Sequence, residues 1–206
     1  MIKKIIISGK VHATLFLIII MITYSFAQVT TNYRIQDSKE VQDFKAKQQQ
    51  EMQNYLAQFE KENKEFVKTL AGMPRDKKIL AVKDFILKQY NKNCLFRKKM
   101  YEEQRAFIQR QLNDNPNIQP FMKKRMLSRI DQDYQELKDF HAGKIKQDME
   151  FLDWLLKDKS IDGQELDKKL QEFFKSQKAD AQEFLSSQQQ KYRFRQEDSF
   201  MPKTSE

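Results

Sequence analysis

Glycine, proline and cysteine are scarce in this sequence. Its 206 residues contain four glycines, four prolines and one cysteine. So few chain breakers exclude a loop-rich or collagen-like protein. A single cysteine excludes a fold held together by internal disulfides, so stability has to come from packing. Segments with strict alternation of apolar and polar residues are also missing, and no stretch is typical of a β-strand.

Histidine is equally rare, and motifs typical of catalysis are missing. Of two histidines, only His141 lies beyond the first 27 residues, so one chain lacks a histidine-based metal triad. The sequence contains no glycine-rich phosphate loop, no Gly-x-Ser-x-Gly elbow, no Cys-x-x-Cys pair and no Glu-x-x-His. We therefore predict a protein that is not an enzyme and has no catalytic residue, metal or cofactor. We interpret His141 as an ordinary residue at the surface or boundary of a helix.

Only one long apolar run exists, at the amino terminus. "MIKKIIISGK" supplies a basic start, residues 11–27 are apolar, and Ser25 and Ala27 are small residues before a cleavage point at Gln28. This pattern predicts a secretory signal peptide over 1–27 and export to the periplasm or the extracellular space. The alternative is an uncleaved membrane anchor, because the run is only marginally long enough to cross a bilayer. We expect no membrane span after cleavage.

Abundant charge and regular aromatic residues indicate long helices rather than disorder. Charged residues make up 33% and aromatic residues 12% of the chain. Turn residues cluster at three internal places, 71–76, 113–120 and 157–164. We predict a helical repeat domain over 38–198, between a linker at 28–37 and a disordered tail at 199–206. Its predicted helices are 38–71, 75–113, 118–158 and 162–198.

Aromatic residues recur at two spacings, eleven and 44. Eleven residues are close to three helical turns, which places both members of a pair on one face. Copies 44 residues apart indicate a repeated unit of one helix and one loop. We expect these aromatics to form the core of the repeat. They are Tyr55, Phe66, Phe96, Phe107, Phe140, Phe151 and Phe184.

The short loops predict that consecutive helices are antiparallel. The fold class is therefore all-α: four long antiparallel helices built from ~44-residue repeats, with coiled-coil character. Polar residues such as Asn93 and Gln104 interrupt the apolar stripes. An elongated bundle, an open array of hairpins and a homo-oligomer that shares helix faces all remain open at this point.

Lysine and arginine occur in three clusters that are candidates for a basic rim around a partner-binding surface. The usual alternative for such clusters is a solvated face. Because no base-stacking platform accompanies them, we expect no nucleic-acid partner. Cys94 is a candidate for an intermolecular disulfide, although a buried small side chain is commoner. The clusters are Arg97-Lys98-Lys99, Lys123-Lys124-Arg125 and Lys168-Lys169.

The segment "LLKDKSIDGQELDKKLQEF" resembles the helix–loop–helix of Spy/CpxP-type periplasmic chaperones. Its "IDGQE" places a capping Asp162 and then Glu165 where that family has Leu-Thr-x-x-Gln at helix starts. The resemblance implies an ATP-independent holdase in the cell envelope that binds unfolded or envelope proteins. The alternative is a structural, self-assembling helical spacer that binds only copies of itself. An uncovered apolar patch would distinguish the holdase.

Overall fold

The computed structural model describes residues 39–200 and is helical apart from three short loops. The predicted signal peptide, the linker and residues 201–206 lie outside the described residues. No strand occurs in 39–200, which confirms the all-α prediction, and each helix end lies within two residues of its predicted position. The helices are α1, Lys39–Thr69; α2, Arg75–Asn113; α3, Pro120–Lys157; and α4, Gly163–Phe200.

The helix ends follow from their turn residues. After α1 the chain passes through Gly72, whose φ of 74° is in the left-handed region that favours glycine. Pro120 is the first residue of α3, where its missing N–H costs no helical hydrogen bond. Before α4, Asp162 Oδ1 accepts hydrogen bonds from the backbone N–H groups of Gln164 and Glu165 at 2.9 and 2.8 Å. This bonding confirms Asp162 as the predicted cap.

The chain divides into two compact units, and the predicted helical domain spans both. Of the described residues, 39–65 and 167–200 belong to one unit, and 66–166 to the other. In the first unit, α1 buries three apolar side chains, Val41, Met52 and Phe59, and also the amide side chains of Gln48 and Asn63.

The second unit is built around an antiparallel hairpin of α2 and α3. Lys83 Nζ lies 2.5 Å from Asp153 Oδ1 near one end of the pair. Near the other end, Arg105 Nε donates to Asp131 Oδ1 at 2.7 Å. Residue numbers that rise along α2 therefore meet numbers that fall along α3, as an antiparallel pair requires. The end of α1 also packs on α2, since the rings of Phe66 and Phe85 stack with centroids 3.9 Å apart.

The positions nearest the core recur every eleven residues, but they are not the recurring aromatics. Of the seven predicted core aromatics only Phe107 is buried; the other six are half-buried. This corrects the prediction that these aromatics form the core. The eleven-residue spacing was predicted correctly, but the residues assigned to the core were not. The buried residues include Arg97 and His141, which directly follow Phe96 and Phe140. Buried positions with the eleven-residue spacing are Val41, Met52 and Asn63; Gln48 and Phe59; Arg97 and Ile108; Ile130, His141 and Leu152.

Arg75 joins the start of α2 to the end of α3. Its Nε donates to the Ile161 carbonyl at 2.9 Å, and its Nη2 donates to the carbonyls of Asp158, at 2.6 Å, and Leu155. The last carbonyls of a helix have no partner within it, so a guanidinium placed there satisfies them and complements the helix dipole. Next to Arg75, Asp76 Oδ2 forms an ion pair with Lys159 Nζ at 2.6 Å.

Candidate binding surfaces of the α2–α3 hairpin

Charge is unevenly distributed between the two helices of the hairpin. α2 carries eleven lysines and arginines against four acidic residues. In α3, residues 120–129 contain four cations and no acid, whereas residues 130–157 contain four cations and seven acids. The basic helix therefore faces an acidic helix over most of its length, which favours the pairs Lys83–Asp153 and Arg105–Asp131. The acid-free start of α3 lies at the turn.

A buried pair of basic side chains occupies the middle of the hairpin. Arg97 and His141 are only 4% and 8% exposed, and Arg97 Nη1 donates to His141 Nε2. Because Nε2 accepts, the ring proton of the neutral imidazole is on Nδ1. Burial, and secondly the charge of Arg97, lowers the pKa of His141 to about 2. His141 is thus a core residue, which corrects its interpretation as a surface or boundary residue.

Next to this pair, Asp131 joins two side chains of α2. It accepts from the Tyr101 hydroxyl at 2.7 Å and from Arg105 Nε at 2.7 Å. Burial raises the pKa of the Asp131 carboxyl, but hydrogen bonds from Arg105 and Tyr101 outweigh it and leave that pKa below its ordinary value. Burial, and then the bond to Asp131, raises the pKa of Tyr101 to about 12. The Tyr101 ring also stacks on Tyr134, with centroids 4.0 Å apart. These contacts hold the two helices in register.

The outer side of α2 carries exposed leucines. Leu80, Leu87 and Leu95 are 47%, 36% and 71% exposed. Steps of seven and eight keep them within about 80° of one another around the helix axis, over a length of about 22 Å. We call these three residues the leucine face. Apart from the buried Arg97, residues 77–99 around it contain seven lysines and one acid, Asp84. The surface is apolar along a line and strongly basic at its margins.

A second exposed apolar residue lies at the turn of the hairpin. Phe121, in the first turn of α3, is 62% exposed. Lys124 and Arg125 follow it by three and four residues, so they lie on the same side of the helix, and both are exposed. We call residues 105–130 the hairpin tip. It contains six lysines and arginines and one acid, Asp114.

The structure places the predicted basic rim in different environments. Arg97 is buried, so it is not part of a rim, and this corrects its assignment. Its position in the eleven-residue core pattern explains the burial. Lys98 and Lys99 are exposed and lie 3.8 and 3.6 Å from Glu102 and Glu103. The remaining members are exposed or half-buried: Lys123, Lys124, Arg125, Lys168 and Lys169.

Cys94 is half-buried and forms no disulfide in the structure. Burial, and then the nearness of Cys94 one turn later in α2, raises the pKa of the Tyr90 hydroxyl. An intermolecular disulfide at Cys94 stays a prediction.

Neither a metal site nor a membrane span is present in residues 39–200. No group of three histidine, cysteine or carboxylate side chains in this part of the chain is arranged to hold a metal ion. Among the same residues no helix is both long and apolar enough to cross a bilayer.

Sequence reasoning missed the leucine face and Phe121. The signal was available for the leucines, because their seven- and eight-residue steps lie outside the stripe assigned to the core. Phe121 was hidden by its closeness to a turn, where a single apolar residue has no periodicity. Exposure is a property of the neighbours that a helix acquires in the fold, and the sequence of one helix does not supply it.

Comparison with protein-family models found no match to this chain. No curated protein and no solved structure matches it either.

Proposed function

We propose that this chain is an exported, cell-envelope binding protein that acts as an ATP-independent holdase, as the resemblance to Spy/CpxP-type chaperones suggests. The observation that supports it best is the leucine face, an uncovered apolar line within a segment of seven lysines that are not buried and one acid. Exposed apolar surface of this kind is typical of a site for another polypeptide. Export rests on the amino-terminal signal pattern.

In the proposed mechanism charge and apolar contact have separate tasks. The cations around the leucine face attract acidic, unfolded chains and raise the association rate, an effect that salt weakens. Apolar side chains of the client then cover Leu80, Leu87 and Leu95, which supplies most of the affinity. Release needs no nucleotide, because weak contact along a line about 22 Å long limits the lifetime of the complex.

The test follows light scattering when a chemically denatured acidic protein is diluted into residues 28–206. We expect suppression of aggregation near one-to-one stoichiometry without nucleotide, weaker in high salt. The triple variant Leu80→Ser, Leu87→Ser, Leu95→Ser should lose most of it, whereas Phe121→Ser with Trp154→Ser, which removes other exposed apolar groups, should keep it. A folded wild-type protein that suppresses nothing, or equal loss in both variants, would contradict the proposal.

The second candidate is a self-assembling spacer, which the same leucines favour. Steps of seven and eight residues are close to the spacing at which two helices pair along a seam. In that case sedimentation equilibrium of residues 28–206 should give an oligomer that dissociates in the triple leucine variant. A monomer at micromolar concentration, with client suppression intact, would exclude the spacer.

A further inference from the structure

The hairpin tip combines an exposed aromatic ring with unneutralised charge. Phe121 is 62% exposed, and the exposed Lys124 and Arg125 lie one turn further along α3 on the same side. Within residues 39–200, neither cation forms an ion pair or a hydrogen bond with another side chain. Lys98 and Lys99 offer a contrast: they follow Leu95 at the same spacing but are paired with glutamates.

Helix stability does not explain the cations at the start of α3. α1, α2 and α4 each have an acidic residue in the first turn, where it complements the helix dipole. α3 has no acidic residue there and carries Lys123, Lys124 and Arg125 in its first two turns. Cations in this position oppose the dipole. A partner outside the chain accounts for them better than folding does.

The arrangement of the tip restricts what that partner is. Phe121 is the only exposed aromatic ring in residues 105–130, so a strand of nucleic acid finds no second platform there for its next base. The leucine face, which suits an extended polypeptide, lies elsewhere on the hairpin. A flat anionic surface with an apolar layer beneath it fits one exposed ring beside the two exposed cations Lys124 and Arg125.

We propose that the hairpin tip binds the surface of an anionic lipid bilayer. Phe121 enters the boundary between headgroups and acyl chains, while Lys124 and Arg125 contact lipid phosphates. The contact is peripheral, without a membrane span. This inference goes beyond the holdase proposal and does not rest on it, because the two use different residues of the hairpin.

The first experiment measures sedimentation with vesicles of phosphatidylcholine alone or mixed with phosphatidylglycerol. Residues 28–206 are used, because the apolar segment 11–27 would itself partition into lipid and no described helix is removed. We expect binding only to the anionic vesicles. Lys124→Gln with Arg125→Gln should lower the partition coefficient about 30-fold, and Phe121→Ser about tenfold. Both variants replace exposed side chains and should keep the helical circular dichroism of the wild type.

The matched control removes the same chemistry at another place on the hairpin. Leu95→Ser with Lys98→Gln and Lys99→Gln should leave vesicle binding within about twofold, since these residues lie outside the tip. Equal binding to neutral vesicles would overturn the proposal. A loss of vesicle binding in the control as large as in the tip variants would also overturn it. The same holds if the hairpin tip binds polyglutamate or single-stranded DNA but the protein does not bind vesicles.

A tryptophan at the tip reports how deeply the tip enters the bilayer, independently of the affinity for vesicles. The chain has one tryptophan, Trp154. In a Trp154→Phe background, Phe121→Trp should shift the indole emission to the blue on anionic vesicles, and brominated lipid should quench it. Leu95→Trp in the same background should do neither. Unshifted emission from the Phe121→Trp variant, on protein that sediments with vesicles, would exclude insertion of the tip. These outcomes are separate from client suppression, so either proposal can fail while the other stands.

Discussion

At the scale of single residues, the least expected feature is the burial of two basic side chains against each other. Arg97 and His141 lie one residue beyond Phe96 and Phe140, the aromatics whose 44-residue spacing marks the repeat. Two buried cations would repel strongly, so the imidazole stays neutral and accepts a hydrogen bond from the guanidinium. A polar pair of this kind favours one register of two helices over others.

The first prediction concerns the pH dependence of stability. The pKa of His141 is about 2 in the folded chain and 6.5 as its ordinary value. Below pH 6.5 the unfolded chain therefore binds a proton that the folded chain does not. Stability is fully present above pH 6.5 and falls by up to about 1.4 kcal/mol for each pH unit below it. Urea unfolding of residues 28–206, which contain no other histidine, measures the slope.

His141→Gln supplies the control, since its side chain is neutral at every pH. We expect this variant to be less stable at pH 7 but to lose much less stability than the wild type as the pH falls to 5. Carboxylates contribute equally to both proteins, so the difference between the two slopes isolates the histidine. Equal slopes would mean that His141 takes up a proton in the folded state.

A second prediction at this scale concerns Asp131. Asp131→Asn weakens two hydrogen bonds from α2 and removes the ion pair with Arg105. Because the carboxylate is partly exposed, we expect a loss of only about 1 kcal/mol of unfolding free energy. The pKa of Tyr101 should fall from about 12, which absorbance of the phenolate reports. Asp139→Asn, an exposed change on the same helix, should alter neither the unfolding free energy nor the Tyr101 pKa. If the Tyr101 pKa is unchanged in Asp131→Asn, the hydrogen bond to Asp131 does not raise it.

At the scale of helices, the sequence predicted the elements well and their packing less well. Proline, glycine and the Asp162 cap act within a few residues, so the ends of all four helices were predictable. Eleven-residue periodicity gave the face of each helix but not which residue of the face is innermost. That depends on the neighbouring helix, which is why Phe96 was assigned to the core and Arg97 to the rim. The contacts of Arg75 join residues 80 or more positions apart, so the local sequence did not predict them.

The third prediction concerns this join between α2 and α3. Arg75→Gln removes donors from the carbonyls of Leu155, Asp158 and Ile161, at a site that is partly buried. We expect a loss of about 2–3 kcal/mol in unfolding free energy. Arg75→Lys should recover little of it, since one ammonium does not reproduce the planar fork of the guanidinium.

Lys159→Gln is the matched control for Arg75. It breaks the neighbouring but exposed ion pair with Asp76 and should shift the urea midpoint far less than Arg75→Gln does. Amide hydrogen exchange locates the effect: protection should fall in the last turn of α3 and the first turn of α2. If Arg75→Gln leaves amide exchange in these two turns unchanged, the contacts of Arg75 contribute nothing to stability.

At the scale of the whole molecule, three features of the chain coincide in residues 66–166. This segment forms one of the two compact units. It also contains the helix-joining contacts of Arg75, Arg97 and Asp131. Both proposed binding surfaces, the leucine face and the hairpin tip, lie in it too. The division suggests that binding and folding of this unit are properties of one continuous stretch of chain.

The last prediction is that residues 66–166 fold by themselves. The contacts that Arg75, Arg97 and Asp131 form between helices lie within the segment, so cutting at 65 and 167 leaves them intact. Circular dichroism at the helical minimum should show high helix content, and urea should unfold the fragment in one cooperative transition. Its denaturant slope should be smaller than that of residues 28–206, because less surface is exposed on unfolding. The fragment with Arg75→Gln should unfold at lower urea, as in the longer chain. A broad, non-cooperative transition in the unsubstituted fragment would show that this unit depends on the rest of the protein.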